Sequence, residues 1–543
     1  MWGRGWLYAA VLAAASWTVD AQEYRARLPQ DEVIYFLLPD RFANGDPAND
    51  RGGLRGGPLQ TGFDPTAKGF FHGGDLRGVL AQLDYIQQLG ATAIWLAPIF
   101  KNKPVQGAPG HESAGYHGYW ITDFTRVDPH FGTEEDFRAL VDAAHGRGMK
   151  IYMDIVVNHT ADVIFYRECT PRMCPYRSRV ERPYTPYVPK GEEHIKVPEW
   201  LNDLSYYHNR GNSTFEGESA LDGDFAGLDD LMTESPRVVQ GFIDIYGAWI
   251  DRYGVDGFRI DTARHVNSEF LQAFVPAMLA RARSRGIANF HIFGEVYTGA
   301  VDVAVLARHT RLHEMPAVLD FAFAAAVRDS VAGTRGTDVL ERLFADDVLY
   351  EAGSDTALQL PTFISNHDQG RFAAYVRASR PGVSDDEVGR RTMLAHAMLL
   401  TLRGVPVLYY GDEQGFVGTT MDQDARQDLF GHFDRDHRAY RDLAQLAHLR
   451  VAEPALRRGR QITRSASTAP GLFAVSRIDP GSGREVLVAF NTADNPISAQ
   501  VQVNVNSRHF SSLHGQCQAQ VTAPGIYSVT LPPLGYILCG AHE

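Results

Sequence analysis

The chain has 543 residues, of which 44% are hydrophobic, 22% charged and 11% aromatic, and its formal net charge is -13. Such a composition belongs to a folded globular protein and excludes extensive disorder. The acidic balance and the lack of any long Lys/Arg run exclude nucleic acid and anionic membrane surfaces as partners, leaving a neutral substrate or a cation. The length points to two or three domains, although α/β barrels can fill most of it.

At the N-terminus Arg4 precedes an apolar stretch from Trp6 to about Ala15, followed by Val19, Asp20 and Ala21. Residues 1–21 read as an export signal cut after Ala21, because the apolar part falls short of the ~20 residues that a membrane span needs. Export implies a secreted or periplasmic protein and makes sense of four cysteines, which allow three pairings. Cys169 with Cys174 and Cys517 with Cys539 are the local pairs expected, against four buried free thiols.

From Val33 onward, short apolar runs alternate with helix-like segments, the pattern of a parallel sheet with crossover helices. The runs begin at Val33, Ala91, Lys150, Gly257, Phe290, Ala317, Leu360 and Val405. Eight such units predict a (β/α)₈ TIM barrel, in which chemistry collects at the C-terminal ends of the strands. Five runs end in charged or His-containing clusters. About a hundred residues separate the third and fourth strands, far more than a connection requires, so residues 160–232 are expected to form an inserted domain over the barrel mouth. The barrel would then comprise residues 22–159 and 233–452. After about Ala452, short β-type runs predict a C-terminal antiparallel β-sandwich over residues 453–543. The Gly-rich run from Arg51 to Gly62 reads as a loop.

The fourth run, GFRIDTARH at Gly257, sets Arg259 and Asp261 two positions apart and so on one strand face. The arginine is expected to lower the carboxyl's pKa and keep it ionised, as a carboxylate nucleophile requires. Alone, this reads better as a structural ion pair. Retaining glycoside hydrolysis needs two carboxyls about 5 to 5.5 Å apart, and Asp261 and Glu295 end adjacent strands. Asp368 adds a third carboxyl, and crowding these with His159, His367 and Arg259 costs stability that structure alone does not explain.

DIVVNH at Asp154, GFRIDTARH at Gly257, FGEVY at Phe293 and FISNHD at Phe363 resemble, in order, the four signature segments of the α-amylase family of glycoside hydrolases. LDDLMTESPRV at Leu228 and YHGYW at Tyr116 resemble two further family segments, and the similarity runs from about Val33 to Gln414. The resemblance implies Asp261 as nucleophile, Glu295 as general acid/base and Asp368 as transition-state stabiliser. Arg259 would orient Asp261, held in turn by Asp154. His159 and His367 would hydrogen-bond the sugar, Tyr119 would stack on it, and His117 is a weaker candidate for the same subsite. Trp120 reads as core packing.

The segment RFANGDPAND, with Asn44, Asp46, Asn49 and Asp50, resembles a calcium loop of cyclodextrin glucanotransferases and related amylases, completed by Gly73 and Asp75. Hard oxygen donors suit Ca²⁺, although most such clusters are only turns. A second calcium would use Asn158, Asp230 and the backbone carbonyl of His265. Arg264 departs from the Lys common at that position, which leaves contacts on the leaving-group side open. Trp200, Tyr206 and Tyr207 in the insert read as sugar-stacking or as core.

The resemblance implies a monomeric enzyme that cuts internal α-1,4 bonds of starch and maltodextrins. The alternative within enzymes is α-glucan transglycosylation, such as cyclodextrin formation. A single C-terminal β domain is expected to disfavour the transferase, and the short stretch before Val33 to disfavour cyclodextrin-degrading relatives. A non-catalytic sugar- or protein-binding barrel would have lost a carboxylate, and all three are present.

Overall fold

The computed structural model describes residues 23–169, 173–420 and 422–542. The expected export signal lies outside the described residues. Eight parallel strands form the central sheet: β1 Ile34–Leu37, β2 Ala93–Leu96, β3 Lys150–Ile155, β4 Gly257–Ile260, β5 His291–Gly294, β6 Ala317–Val318, β7 Pro361–Thr362 and β8 Val405–Tyr409. Their order is β6-β5-β4-β3-β2-β1-β8-β7. The two ends of that sheet meet where the amide of Asp320 donates to the carbonyl of Pro361 at 2.9 Å, so the barrel nearly closes. Every residue of these strands is buried, which is why they read as continuous apolar runs rather than alternating ones.

The strands are shorter than the runs that predict them, and side-chain caps explain where they stop. The Ala317 run ends early because Asp320 caps a helix, its carboxylate accepting from Phe323 N, and the chain turns helical at Phe321. The first run stops at Pro39, which opens a helical turn through Phe42. The Gly-rich run is a loop that carries one helical turn, Pro58–Thr61.

Between β3 and the helix Pro236–Tyr253 the chain leaves the barrel and returns. His159–Thr160 pairs antiparallel with Asp229–Asp230, so departure and return share one two-residue ladder. Lys196 and Asp229 pair at 2.6 Å in full burial beneath this excursion. Cys169 and Cys174 are joined within it, and Cys517 and Cys539 are joined near the C-terminus.

Seven further strands follow: β9 Arg460–Ser465, β10 Leu472–Ile478, β11 Glu485–Asn491, β12 Ile497–Gln502, β13 His509–His514, β14 Ile526–Leu531 and β15 Tyr536–His542. They form a sheet β9-β10-β11-β15-β13 and a second sheet β12-β14, with Leu487, Val501, Phe510, Tyr527 and Val529 packed between them. The opposite face, through Phe473, Val488 and Phe490, joins the barrel core. Arg477 on β10 donates to the carbonyls of Gly459 and Thr401, tying this sheet to the end of the barrel helix Asp385–Thr401.

Candidate active site

The strand ends converge on one guanidinium. Arg259, 1% exposed, donates through Nη1 to Asp154 Oδ1 at 2.8 Å and to Asp261 Oδ1 at 2.8 Å, and its Nη2 lies 2.9 Å from Glu295 Oε2. Parallel registry produces this arrangement, since Arg259 on β4 sits opposite Asp154 on β3 and Phe293 on β5. Asp154 is held from the other side by Trp95 Nε1 at 3.1 Å and Tyr119 Oη at 3.0 Å. Asp261 and Glu295 thus occupy neighbouring nitrogens of one fork. That proximity suits carboxyls about 5 to 5.5 Å apart rather than the ~6.5 to 9.5 Å that admits a water between them.

Three carboxyls facing one guanidinium cannot all ionise cheaply. Burial pushes Glu295 up to about 8, with Arg259 opposing and the charges of Asp261 and Asp368 reinforcing the shift. Burial likewise pushes Asp154 up to about 7 against Arg259. Asp261 also lies above the ordinary aspartate range, because burial and the charge of Asp368 outweigh Arg259. The expected lowering of Asp261 by Arg259 is therefore reversed in net effect: the arginine opposes burial without overcoming it. Of the three carboxyls facing Arg259, burial and like charge favour the protonated form of Glu295 and of Asp154.

Asp368 stands across the cleft, its side chain 45% exposed, with Arg426 Nη2 donating to Oδ1 at 3.0 Å. Against burial, the neighbouring His367 and the charges of Arg426 and Arg259 hold it below the usual carboxylate range. His367 Nε2 lies 2.8 Å from Tyr119 Oη, and burial pushes its pKa down to about 3. Burial does the same to His159, and neither of its ring nitrogens has a hydrogen-bond partner within the protein. Burial also places His117 well below the ordinary histidine range; its Nδ1 accepts from Tyr119 N at 3.1 Å. Burial favours the neutral form of these imidazoles, and both ring nitrogens of His159 and Nδ1 of His367 lack a partner within the protein, which leaves them to meet hydroxyl groups.

A cavity of about 880 Å³ opens above these groups and is lined by Asp261, Glu295, Asp368, Tyr119, His117, His159, His367, Arg264 and His265. Trp120, read as core, lines it too. So do Phe215, Phe225, Tyr297, Arg328 and Arg426, none of which the sequence singles out. Arg426 acts on Asp368 from 58 positions away, and no local pattern marks it. Phe225 stacks on His159 with centroids 5.6 Å apart. Trp200 packs edge-on against Phe242 of the helix Pro236–Tyr253, fastening the insert to the barrel, and Tyr207 Oη donates to Leu201 O at 2.7 Å within the insert.

Among the described residues no three His, Cys, Asp or Glu side chains form a metal-binding group, so any calcium would need Asn or carbonyl donors beside its carboxylates. The first loop fits such an ion. Asn49 Oδ1 is buried without a partner, and a Cβ at Gly73 would lie 2.7 Å from Asp50 Oδ1 and 2.9 Å from Asn44 Nδ2. Burial, with Asp75 among the nearby charges, raises Asp50. Asp46 instead engages Ala48 N and Arg77. Asp75 accepts from Gly45 N, Asp46 N and Gly78 N, acting as a helix cap. At the second location Asn158 Oδ1 is buried and unpartnered, and Asp230 shares Oδ2 with His208 Nδ1 at 2.6 Å. The His265 ring is turned to Ala220 O, which leaves only its carbonyl for the ion.

Residues 36–446 match the family model described as alpha amylase, catalytic domain. An α-amylase of Streptomyces lividans is 41% identical over 90% of this chain, and the chain spans 59% of that relative's length. The Geobacillus thermoleovorans α-amylase solved with acarbose superposes with a TM-score of 0.75 at 28% identity, covering 95% of this chain and 99% of that one. A cyclomaltodextrin glucanotransferase with a three-domain ABC distribution gives 0.76 at 26% identity, covering 94% and 99%. That three-domain transferase runs against the sequence-based expectation that such enzymes carry further C-terminal domains.

Proposed function

The chain belongs to the α-amylase family through its catalytic domain, and from that membership we propose that it is an exported retaining glycoside hydrolase acting on α-1,4 bonds of starch and maltodextrins. The observation that carries this reading is the single guanidinium of Arg259 bonded to both Asp261 and Glu295, and burial that raises the Glu295 carboxyl supports its part as the acid.

In the proposed reaction Glu295 gives its proton to the glycosidic oxygen while Asp261 attacks the anomeric carbon. The leaving chain departs as an alcohol and a covalent glycosyl ester forms on Asp261. Glu295, now ionised, takes a proton from water, whose oxygen displaces Asp261 with net retention. Asp368 and the neutral His159 and His367 hold the sugar hydroxyls, and developing positive charge at the ring is met by the carboxylates. Tyr119 fixes Asp154 and His367 while turning its ring toward the cleft. Calcium, when bound by the loop around Asn49 and Asp50 or by Asn158, Asp230 and the His265 carbonyl, would supply charge that fastens loops and takes no part in bond cleavage.

Residues 22–159 and 233–452 are proposed as the barrel domain, 160–232 as the inserted domain and 453–543 as the C-terminal domain. Two disulfides support export to an oxidising compartment, and among the described residues no helix is long and apolar enough to cross a membrane. A monomeric enzyme is part of the same proposal.

Transglycosylation remains a second reading because Phe215, Phe225 and Tyr297 give the cleft apolar walls able to seat a sugar acceptor in place of water. A time course on starch, maltooligosaccharides and cyclodextrins, with anomers followed by NMR, tests both. α-Anomeric short products support the hydrolase, larger or cyclic products the transferase, and β-anomeric products contradict both.

A further inference from the structure

Two guanidiniums on the cleft wall have no carboxylate partner among the described residues. Arg264, exposed, donates through Nη1 to the carbonyl of Tyr297 at 2.7 Å. Arg328, half-buried, reaches the carbonyl of Gly299 at 3.5 Å, and its guanidinium lies 5.0 Å from the ring centroid of Tyr375. Both line the same cavity and both are fastened to residues 297–299, so their charges stand on one wall. The position of Arg328 is built: the helix that starts at Phe321 passes into a π-helical turn at Arg328–Ala332, and such turns often mark functional sites. The ring of Tyr375 holds the cation in place.

Arg426, which lines the same cavity, and Arg259 at its floor each meet a carboxylate, whereas Arg264 and Arg328 meet only carbonyls. A neutral glucan needs hydrogen-bonding groups but no uncompensated charge, whereas a guanidinium fork matches a phosphate monoester in shape and charge. Residue 297 follows the proposed proton donor Glu295 by two positions, which puts the wall on the leaving-group side. A phosphate at Asp261 or Asp368 would be repelled, but one on a glucose unit further along the chain would not.

We infer that the wall formed by Arg264 and Arg328 is an anion-recognising subsite that takes a glucose unit bearing a phosphate monoester. The inference rests on the glycosidase reading of the same cleft and adds the charge class of its substrate. Its test compares phosphorylated dextrins from potato starch with the same dextrins after phosphatase treatment. The quantity read is the ratio of kcat/KM on the two, for wild type, Arg328→Gln, Arg328→Lys and Arg264→Gln. Charged hydrogen bonds are worth about 1.5–3 kcal/mol, so either Gln variant should lower the ratio about tenfold or more, and Arg328→Lys should keep most of it. Inorganic phosphate should compete with the phosphorylated dextrin and leave the treated one unaffected. An unchanged ratio in both Gln variants overturns the subsite, as does equal inhibition of both substrates by inorganic phosphate. Failure of the wild type to cleave either dextrin overturns the glycosidase reading instead.

Discussion

The backbone amide of Thr262 donates to Glu295 Oε2 at 2.9 Å, which links the residue after Asp261 directly to the carboxyl on the next strand. Thr262 reaches this position in the left-handed region, with φ of 46°. A β-branched residue there costs on the order of 1–3 kcal/mol. The strain sits between the two proposed catalytic carboxyls, where it aims an N–H at the proton donor. Replacing Thr262 with Gly keeps that N–H and removes the cost. Thr262→Gly is expected to unfold at the same temperature as wild type or a few degrees higher while retaining activity; a fall in melting temperature would show that the threonine side chain contributes more than the strain removes.

In the proposed mechanism the raised pKa of Glu295 sets the alkaline limit of activity: the acid form that donates the proton is fully present well below its pKa and is lost as pH rises through about 8. The pH profile of kcat/KM should therefore fall on its alkaline side near that value. Glu295→Gln should lower kcat by roughly 10²–10⁴ and lose that limb. A profile that stays flat to pH 10 in the wild type would remove Glu295 from the acid role.

Calcium at the loop around Asn49 is open to a direct check. Chelation is expected to lower the melting temperature, and Asn49→Ala should lower the wild-type value while reducing the further effect of chelator. An unchanged melting curve, with no calcium by elemental analysis, removes the metal from the account.

Much of the fold was legible because each barrel strand is a buried apolar run, five of the runs end in a polar cluster, and parallel strands in a barrel bring such clusters to one mouth. Where the reading overran, a local cap decided the matter: Asp320 ends β6 two residues after it begins. The three carboxyls were legible from strand ends and family segments. Their charge states were not, because Arg259 beside Asp261 is a sequence fact while the burial and the charge of Asp368 that outweigh it arise only when distant segments fold together. Arg426 and Arg328 were missed for the same reason: their significance lies in Asp368, Tyr375 and Gly299, brought near only by folding. Asp46 and Asp75 show the converse, since a donor-rich turn can spend its carboxylates on Arg77 and on backbone amides.

The central claim is that Asp261 carries the glycosyl group between the two halves of the reaction. A fluorinated maltosyl fluoride offered to the Glu295→Gln variant, followed by proteolysis and mass spectrometry, tests it most directly. The account predicts a glycosyl mass increment on the peptide that contains Asp261, absent in Asp261→Asn. A label on another residue, or wild-type hydrolysis by Asp261→Asn, would contradict it.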